Sequence, residues 1–482
     1  MEPTHYDLII IGSGSGNSLI DPRLDGLTIA MVDDAPWYGG TCLNVGCIPT
    51  KMFVLPADHV VDADEAARLG VTQQTTAVDW PAIRDRIFGR IDPISAGGLD
   101  WRERQAHVGV YRETATFVDP YTLALAPSGR RITADRIVLA AGSRPRQVVE
   151  PDADVEHLVH TSDSIMRVDE LPARLVVLGG GFVAAEFGHV FSAYGSQVTM
   201  IIRGDRLLRR EDEDVSAAFT ELVSQRMQVA TQERVQSISA GPDGGVRVTT
   251  VAADGTERHH DADLVLNATG RIPNGDRLNL PAAGVEVDDA GFVKVDQYQR
   301  TSVEHIWALG DVCQPCMLKH VANREMRTVM HNLLHPDDLV ATDHRHIPHA
   351  VFAHPQIGAV GATEAELKAQ GRPYVVKTQR YGDVAYGWAL EDQSHFAKLL
   401  ADPQTGKLLG AHLMGPQAAT LVQQLIHMMQ FEQDIESVAT QQYWIHPALP
   451  ELVENALLGL VEQRREWLAG RLRAAGDTGQ VS

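Results

Sequence analysis

Two short apolar runs near the start of the chain predict parallel β-strands. Residues 6–11 form the first run and lead directly into a turn rich in glycine and serine. The second run, residues 27–32, ends at Asp33 and Asp34. A run that is apolar on both faces is typical of a strand buried in a parallel sheet. The pattern therefore predicts strand, tight turn and second strand, the opening of an α/β dinucleotide-binding fold.

The turn between these runs carries fingerprint glycines at Gly12, Gly14 and Gly16. Glycines at the first two positions allow a tight turn and bring the backbone close to a pyrophosphate. The position that favours a small residue for packing holds Asn17, which departs from the fingerprint. Asp33 directly follows the second run, where a carboxylate would accept a hydrogen bond from a ribose 2′-hydroxyl. By itself, such a glycine loop is also compatible with an ordinary tight turn.

The same pattern recurs about 170 residues later. Residues 174–178 predict a strand, and Gly179 and Gly181 belong to a GxGxxA turn that opens a helix. The next predicted strand, residues 198–202, ends at Arg203 instead of an acid. Three more arginines follow it: Arg206, Arg209 and Arg210. Guanidinium groups bind a 2′-phosphate through charge-assisted hydrogen bonds, so this site is predicted to bind NADPH; a solvated basic face is the alternative.

Composition and charge narrow the class of protein. The chain has 482 residues, too many for one hydrophobic core, and two to four domains are expected. Its formal net charge of −21 disfavours nucleic acid as a partner. No apolar stretch is long enough to span a bilayer, and the first predicted strand starts too early to leave room for a signal peptide. We therefore expect a cytoplasmic protein.

The four cysteines fall into two close pairs, Cys42 with Cys47 and Cys313 with Cys316. In a reducing compartment, a close pair indicates redox chemistry or metal binding more often than a structural disulfide. Four residues separate the first two cysteines at the predicted start of a helix, where the helix dipole favours a thiolate. A pair of buried structural thiols is the alternative.

The sequence around the first pair, G-G-T-C-L-N-V-G-C-I-P-T-K, resembles the pyridine nucleotide–disulfide oxidoreductases, which include glutathione reductase and dihydrolipoamide dehydrogenase. Matching segments extend over nearly the whole chain: residues 140–145, 268–271 and 308–311. The resemblance implies an α/β fold like that of glutathione reductase. It would have two Rossmann-like domains, for FAD and NADPH, and a C-terminal α+β dimerisation domain.

The resemblance also implies a division of the chain. Residues 1–150 and 274–343 would form the FAD-binding domain, residues 151–273 the NADPH-binding domain, and residues 344–482 the interface domain. The implied FAD contacts are Gly12, Gly14, Gly16, Asp33, Gly40, Thr41, Gly142 and Asp311. The implied NADPH contacts are Gly179, Gly181, Arg203, Arg209 and Gly270. The last residues, roughly 470–482, lack a packing pattern and are expected to fray.

By the same resemblance, Cys47 lies against the flavin as a thiolate and Cys42 attacks the substrate disulfide. Lys51 and Glu186 match an ion pair beside the flavin; from sequence alone they would be unremarkable helix residues.

Thiol–disulfide exchange also needs a group that manages protons. The C-terminal residues 442–451 supply His446 and Glu451, which match the family signature H-P-x-x-x-E. A carboxylate can orient the imidazole and stabilise its charged form. In the family this dyad reaches the cysteines of the other subunit, which implies a homodimer with a shared active site.

Within the family, the chain most resembles the mycothione reductases of actinobacteria. The supporting segments are residues 12–18, 47–53, 88–94, 381–388 and 443–460. The implied reaction is NADPH-driven reduction of a small disulfide, mycothione, through a Cys42–Cys47 disulfide.

Five alternatives have to be considered. Dihydrolipoamide dehydrogenase prefers NAD and an acid at the position of Arg203, whereas glutathione reductase shares the arginine spacing. Mercuric reductase and the large thioredoxin reductases use a further C-terminal cysteine pair, and no cysteine follows Cys316 here. A non-catalytic flavoprotein scaffold would not need Cys42, Cys47, His446 and Glu451 together.

Two clusters suggest metal binding but are assigned to packing, so no metal site is predicted. The Cys313–Cys316 pair with His320 would still lack a fourth zinc ligand. Four histidines lie near the start of the interface domain: His344, His346, His349 and His354.

Overall fold

The computed structural model describes the backbone of residues 2–477 and the side chains of residues 2–473. The strands, β1 to β22 in chain order, are Thr4–Ile11, Ile29–Val32, Val108–Tyr111, Thr114–Asp119, Thr122–Ala126, Arg131–Leu139, Ser143–Pro145, Val159–His160, Arg174–Leu178, Gln197–Ile201, Gln228–Ala230, Glu233–Ala240, Val246–Ala252, Glu257–Ala262, Leu264–Asn267, Arg271–Pro273, Ile306–Ala308, Pro348–Val351, Ile357–Gly361, Val375–Arg380, Phe396–Ala401 and Leu408–Met414. The α-helices, α1 to α12 in chain order, are Gly40–Asn44, Cys47–Glu65, Trp80–Glu103, Phe182–Ala193, Glu213–Ser224, Leu280–Ala283, Lys319–Leu334, Glu364–Ala369, Ala385–Ala389, Ala418–Gln430, Ile435–Thr440 and Pro450–Asp477.

Two parallel sheets share one layout. In the first sheet, β3, β2, β1 and β6 lie side by side and β17 pairs with β6 in parallel, while β5 and β4 extend it antiparallel. In the second sheet, the order is β11, β10, β9, β15 and β8, all parallel. The strand that precedes each glycine turn, β1 or β9, is central and its last four residues are buried. This arrangement confirms the predicted pair of Rossmann-like units.

The two units are joined by a pair of adjacent crossings. Strand β7 leaves the first unit and β16 returns to it, and the two strands pair antiparallel. The second unit also carries a small antiparallel sheet, β12–β13–β14.

The C-terminal part is a five-stranded antiparallel sheet in the order β18, β19, β22, β21 and β20. Helices α10, α11 and α12 pack with it around a shared apolar cluster that includes Leu399, Leu425 and Leu457. This α+β arrangement confirms the predicted fold class.

The end of α12 corrects one expectation. The residues from 470 onward were predicted to fray, yet the helix continues to Asp477. Arginine, leucine and alanine between residues 471 and 475 have high helix propensity, which favours this continuation of the helix. Residues 478–482 lie outside the described residues.

The helices also bear on membrane association. Within residues 2–477, every helix is too short or too polar to cross a bilayer.

Candidate active site

The first cysteine pair occupies the junction of two helices. Cys42 lies in α1, and Cys47 is the first residue of α2, after Gly46 at the N-cap. A Cβ at Gly46 would lie 2.9 Å from the carbonyl oxygen of Thr41, so only glycine fits this tight connection. The hydroxyl of Thr50 donates to the Gly46 carbonyl at 2.7 Å and fixes the first turn of α2. The local sequence thus holds the two thiols side by side.

The two thiols are electrostatically different. A hydrogen bond from Cys42 lowers the pKa of Cys47 to about 7, against the opposing effect of burial, and the charge of Lys51 contributes to the lowering. The same hydrogen bond and burial raise the pKa of Cys42 well above its usual range. Cys47 also lies at a helix N-terminus, which favours negative charge. Cys47 is therefore the thiolate of the pair, and Cys42 holds the proton.

Lys51 and Glu186 come together beside Cys47. The Lys51 ammonium donates to both oxygens of Glu186, at 2.8 and 2.7 Å, across the packed helices α2 and α4. Glu186 is 3% exposed, and its carboxylate also accepts the backbone N–H of Phe352 at 2.9 Å. Replacing one partner of this ion pair would be destabilising, because it would leave the charge of the other partner without its hydrogen bonds.

Sequence reasoning missed Lys319, at the start of α7. Its positive charge lowers the pKa of Cys42, in opposition to the larger raising effects. Lys319 donates to the hydroxyl of Ser15 at 2.9 Å, and Ser15 in turn donates to Asn323 at 3.1 Å. These contacts join the first glycine turn to α7 over about 300 residues of sequence, so no local motif could have identified them.

The first glycine turn forms a narrow cradle. Gly12 has φ +108°, and a Cβ there would lie 2.1 Å from the carbonyl oxygen of Ala140. A Cβ at Gly40, which has φ +77°, would lie 2.5 Å from the Cα of Gly14. Gly16 lies so close to Ala140 that a Cβ at Gly16 would be 2.7 Å from the alanine Cβ. Gly16, and not Asn17, is therefore the small residue that packs closely in this turn. This close backbone approach fits a pyrophosphate group such as that of FAD.

The two acids after β2 differ in their partners. Asp33 accepts the backbone N–H of Ser13 at 2.6 Å and lies against the glycine turn. Asp34 instead accepts hydrogen bonds from Thr114 and Arg277, at 3.0 and 2.8 Å. Asp33 is thus the acid beside the turn, as the sequence pattern favoured.

The other predicted FAD residues lie around the crossing strands. Thr41 directly follows Gly40, and Gly142, two residues after Ala140, has φ +68°. Asp311 accepts a hydrogen bond from the Ser143 hydroxyl at 2.6 Å, and burial raises the pKa of its carboxyl group. Arg271 donates to the same hydroxyl at 2.8 Å, so Ser143 is a second residue that sequence reasoning missed.

The second glycine turn has the same geometry as the first. Gly179 has φ +119°, and a Cβ there would lie 2.4 Å from the carbonyl oxygen of Ala268. Gly181 is the N-cap of α4, so the free N–H groups of that helix follow directly. Gly270 also has a positive φ, +121°, next to the return strand β16. The turn therefore fits a second pyrophosphate.

The arginines after β10 are not equivalent. Arg206 is within ion-pair distance of Asp205 and Glu213, at 3.6 and 3.2 Å. By contrast, Arg203 and Arg209 are exposed and make no hydrogen bond or ion pair with any residue from 2 to 473. Arg203 also lines an open cavity of about 470 Å³ with Gln232 and Arg234. Unpaired guanidinium groups after this strand fit a 2′-phosphate.

His446 and Glu451 form a hydrogen-bonded pair. Nδ1 of His446 lies 2.6 Å from Oε1 of Glu451, and this contact leaves Nε2 available to exchange a proton. In the described part of a single chain, no hydrogen bond or ion pair joins either residue to Cys42 or Cys47. The neighbouring Tyr443 and Ile445 are fully and 74% exposed, respectively. The dyad therefore lies beside two exposed apolar side chains.

The second cysteine pair and the histidine group were the two clusters considered for metal binding. Burial raises the pKa of both Cys313 and Cys316, which makes them poor nucleophiles. His344, His349 and His354 each pair with a separate carboxylate, at 2.7 to 2.9 Å. Within residues 2–473, no group of three or more His, Cys, Asp or Glu side chains could hold a metal ion.

Comparison with known proteins agrees with the geometry. Residues 6–328 match the family described as pyridine nucleotide-disulphide oxidoreductase, and residues 347–457 match its dimerisation domain. A mycothione reductase of Mycobacterium tuberculosis is 48% identical over 94% of this chain and 99% of its own length. A dihydrolipoyl dehydrogenase of Haloferax volcanii is 33% identical over 94% of this chain and 97% of its own. A HOCl-induced flavoprotein disulfide reductase from Escherichia coli superposes with a TM-score of 0.82 at 24% identity, covering 94% of this chain and 99% of its own.

Proposed function

Since the chain belongs to the pyridine nucleotide-disulphide oxidoreductases, we propose that it uses NADPH to reduce mycothione to mycothiol. Membership of the family makes it an FAD-containing, pyridine nucleotide-dependent enzyme with a dimerisation domain. The observation that carries the proposal is the Cys42–Cys47 pair, held at the tight connection of α1 and α2, in which the hydrogen bond from Cys42 lowers the pKa of Cys47 to about 7. The choice of mycothione is supported by the identity of 48% with a mycothione reductase.

Residues around the two glycine turns would hold the cofactors. For FAD these are Gly12, Gly14, Gly16, Asp33, Gly40, Thr41, Gly142 and Asp311, and for NADPH they are Gly179, Gly181, Arg203, Arg209 and Gly270. When bound, FAD would supply the two-electron chemistry that links NADPH to the Cys42–Cys47 disulfide. Lys51, paired with Glu186, holds a positive charge beside Cys47 and stabilises its thiolate.

The reduced pair then carries out two exchange steps. Cys42 loses its proton and attacks one sulfur of the substrate disulfide, which forms a mixed disulfide and releases the first thiolate. The Cys47 thiolate attacks the sulfur of Cys42, releases the second thiolate and closes the Cys42–Cys47 disulfide. Each released thiolate takes up one proton, the first from the base that deprotonated Cys42 and the second from solvent.

The base in this scheme is His446, oriented by Glu451. Because the dyad does not contact the cysteines of its own chain, His446 of the partner subunit would act on Cys42 in a homodimer. The exposed Tyr443 and Ile445 beside the dyad support such an interface, since water-exposed apolar side chains favour association. Each active site would then need both subunits.

The division into residues 1–150, 151–273, 274–343 and 344–482 is part of the proposal, and the pairing of β7 with β16 at the two crossings supports it. The proposed location is the cytoplasm, a reducing compartment in which the cysteines would stay reduced.

The experiment that tests the proposal is NADPH oxidation by the yellow, FAD-loaded protein with mycothione, glutathione disulfide or lipoamide. We expect kcat/KM to be highest for mycothione. His446→Ala should slow disulfide reduction about 100-fold or more, because general-base catalysis contributes that much. Its half-reaction, reduction of the enzyme by NADPH in a stopped-flow instrument, should change less than threefold. The matched control is His427→Ala, an exposed histidine of the same domain.

Each result discriminates between parts of the proposal. A preference for glutathione disulfide or lipoamide would discard mycothione and keep the exchange chemistry. Equal slowing of both half-reactions by His446→Ala would show that the histidine does not manage the substrate proton.

A further inference from the structure

A buried lysine connects the dimerisation domain to the second dinucleotide-binding unit. Lys398 lies on β21 and is 2% exposed. Its ammonium contacts three carboxylates, those of Asp212 at 2.8 Å, Asp214 at 2.6 Å and Glu364 at 2.7 Å. An ammonium has three N–H donors, so all of them can be used here. Burial would lower the pKa of Lys398, but its three partners raise it above the usual value.

A second contact joins the same two parts of the molecule. Nε2 of His349, on β18, lies 2.7 Å from Oε1 of Glu211. The backbone N–H of Glu364 also donates to Oδ2 of Asp212 at 3.1 Å. Asp212 is fully buried, so these interactions replace its water. Glu211 and Asp212 are therefore fixed by residues of the dimerisation domain.

These two acids end the loop that carries the free arginines, residues 203–212. At its middle, the backbone N–H of Leu208 donates to the carbonyl of Gly180 in the nucleotide turn at 2.7 Å. Arg209 and Arg210 are thus the two residues between Leu208 and the fixed acids. Their backbone position depends on both attachments.

We propose that Lys398 is a positioning residue for NADPH: it fixes the end of the arginine loop so that Arg209 is placed for the 2′-phosphate. The inference rests on the proposed use of NADPH. The 2′-phosphate is the only group by which NADPH differs from NADH. A loop displaced at Asp212 therefore weakens the binding of NADPH and leaves the binding of NADH nearly unchanged.

The test uses the FAD-loaded, full-length enzyme and measures KM and kcat for NADPH and for NADH. Lys398→Met should raise the KM for NADPH about tenfold, the effect of one lost charge-assisted hydrogen bond. The KM for NADH and the kcat with either nucleotide should change less than twofold. Lys407→Met is the matched control, because it removes an exposed ion pair with Glu432 in the same domain. It should leave both KM values unchanged.

Glu364→Gln provides a second variant in case Lys398→Met does not yield FAD-loaded protein. It removes one of the three charges but keeps two carboxylates on Lys398, and the KM for NADPH should rise about threefold, less than for the lysine variant. A parallel rise for both nucleotides, or no change for either variant, would overturn the positioning role. A wild-type enzyme without preference for NADPH would overturn the nucleotide assignment itself, and this result is visible before any variant is made.

Discussion

In the two dinucleotide-binding units, four neighbouring parallel strands have the same order, and a glycine with a positive φ follows each central strand. The connections after these two glycines differ. Residues 179–196 after β9 contain the regular helix α4, whose sequence is almost entirely apolar or small. Residues 12–28 after β1 are of similar length but contain two short 3₁₀ turns, Ser15–Leu19 and Pro22–Leu24. Pro22 lacks an N–H donor, so a helix cannot continue through it. The Asp21 side chain instead caps the 3₁₀ turn that begins at Pro22.

In the first unit, a side chain that is distant in sequence stabilises this connection. The guanidinium of Arg102, on α3, donates to the backbone carbonyls of Asn17 and Ile20, both at 3.1 Å. It also donates to the side-chain oxygen of Asn17 at 2.9 Å, and that oxygen accepts the Tyr38 hydroxyl at 2.6 Å. The comparison shows that the glycine turn fixes the nucleotide cradle, whereas the connection behind it can be built from local or from remote interactions.

The largest expected effect is on cofactor binding, when the first glycine of either nucleotide turn is replaced by alanine. Gly12→Ala should abolish FAD binding, because a Cβ would meet a carbonyl oxygen at 2.1 Å. Gly179→Ala should keep FAD and lose about 100-fold in kcat/KM for NADPH, about 3 kcal/mol for a strained φ and a clash. The ratio of flavin to protein absorbance and steady-state kinetics measure both. Equal loss of FAD in the two variants would contradict the assignment of one cofactor to each turn.

The next largest effect is on nucleotide preference, when the arginines that follow β10 are replaced. Arg203→Glu with Arg209→Glu should shift the ratio of kcat/KM for NADPH and NADH by about 100-fold toward NADH, through two lost charge-assisted bonds. Arg206→Gln is the control, because Arg206 is already paired with Asp205 and Glu213. Unchanged Michaelis constants for both nucleotides would show that these arginines do not contact the phosphate.

The smallest expected effect tests the remote support of the first connection. Asn17→Ala removes the acceptor shared by Tyr38 and Arg102 and should lower stability by about 1–3 kcal/mol. Thermal unfolding of the FAD-loaded protein, followed by circular dichroism, measures the change. Asn17→Asp keeps the acceptor oxygen and should retain most of the stability. If both variants unfold at the wild-type temperature, Arg102 does not depend on Asn17.

The same contrast explains what the sequence could predict. Strand β9, its turn and α4 depend on neighbouring residues, and the pattern over 174–184 predicted all three. The cysteine motif likewise indicated the redox pair. The contacts of Arg102 with Asn17, of Lys319 with Ser15 and of Phe352 with Glu186 join residues far apart in the chain, so no local pattern encodes them. The Arg206 pairing also depends on side-chain directions that spacing alone does not give.

Glu186 sets a condition on engineering this protein by domain exchange. Its carboxylate binds Lys51 in the first unit and the backbone of Phe352 in the C-terminal part, although Glu186 itself belongs to the inserted unit. A chimera that takes the inserted unit from another protein would need an acid at the same turn of the same helix. Without that acid, the transplanted unit would bury the Lys51 charge against an unmatched surface. The inserted unit is therefore exchangeable only together with this single carboxylate.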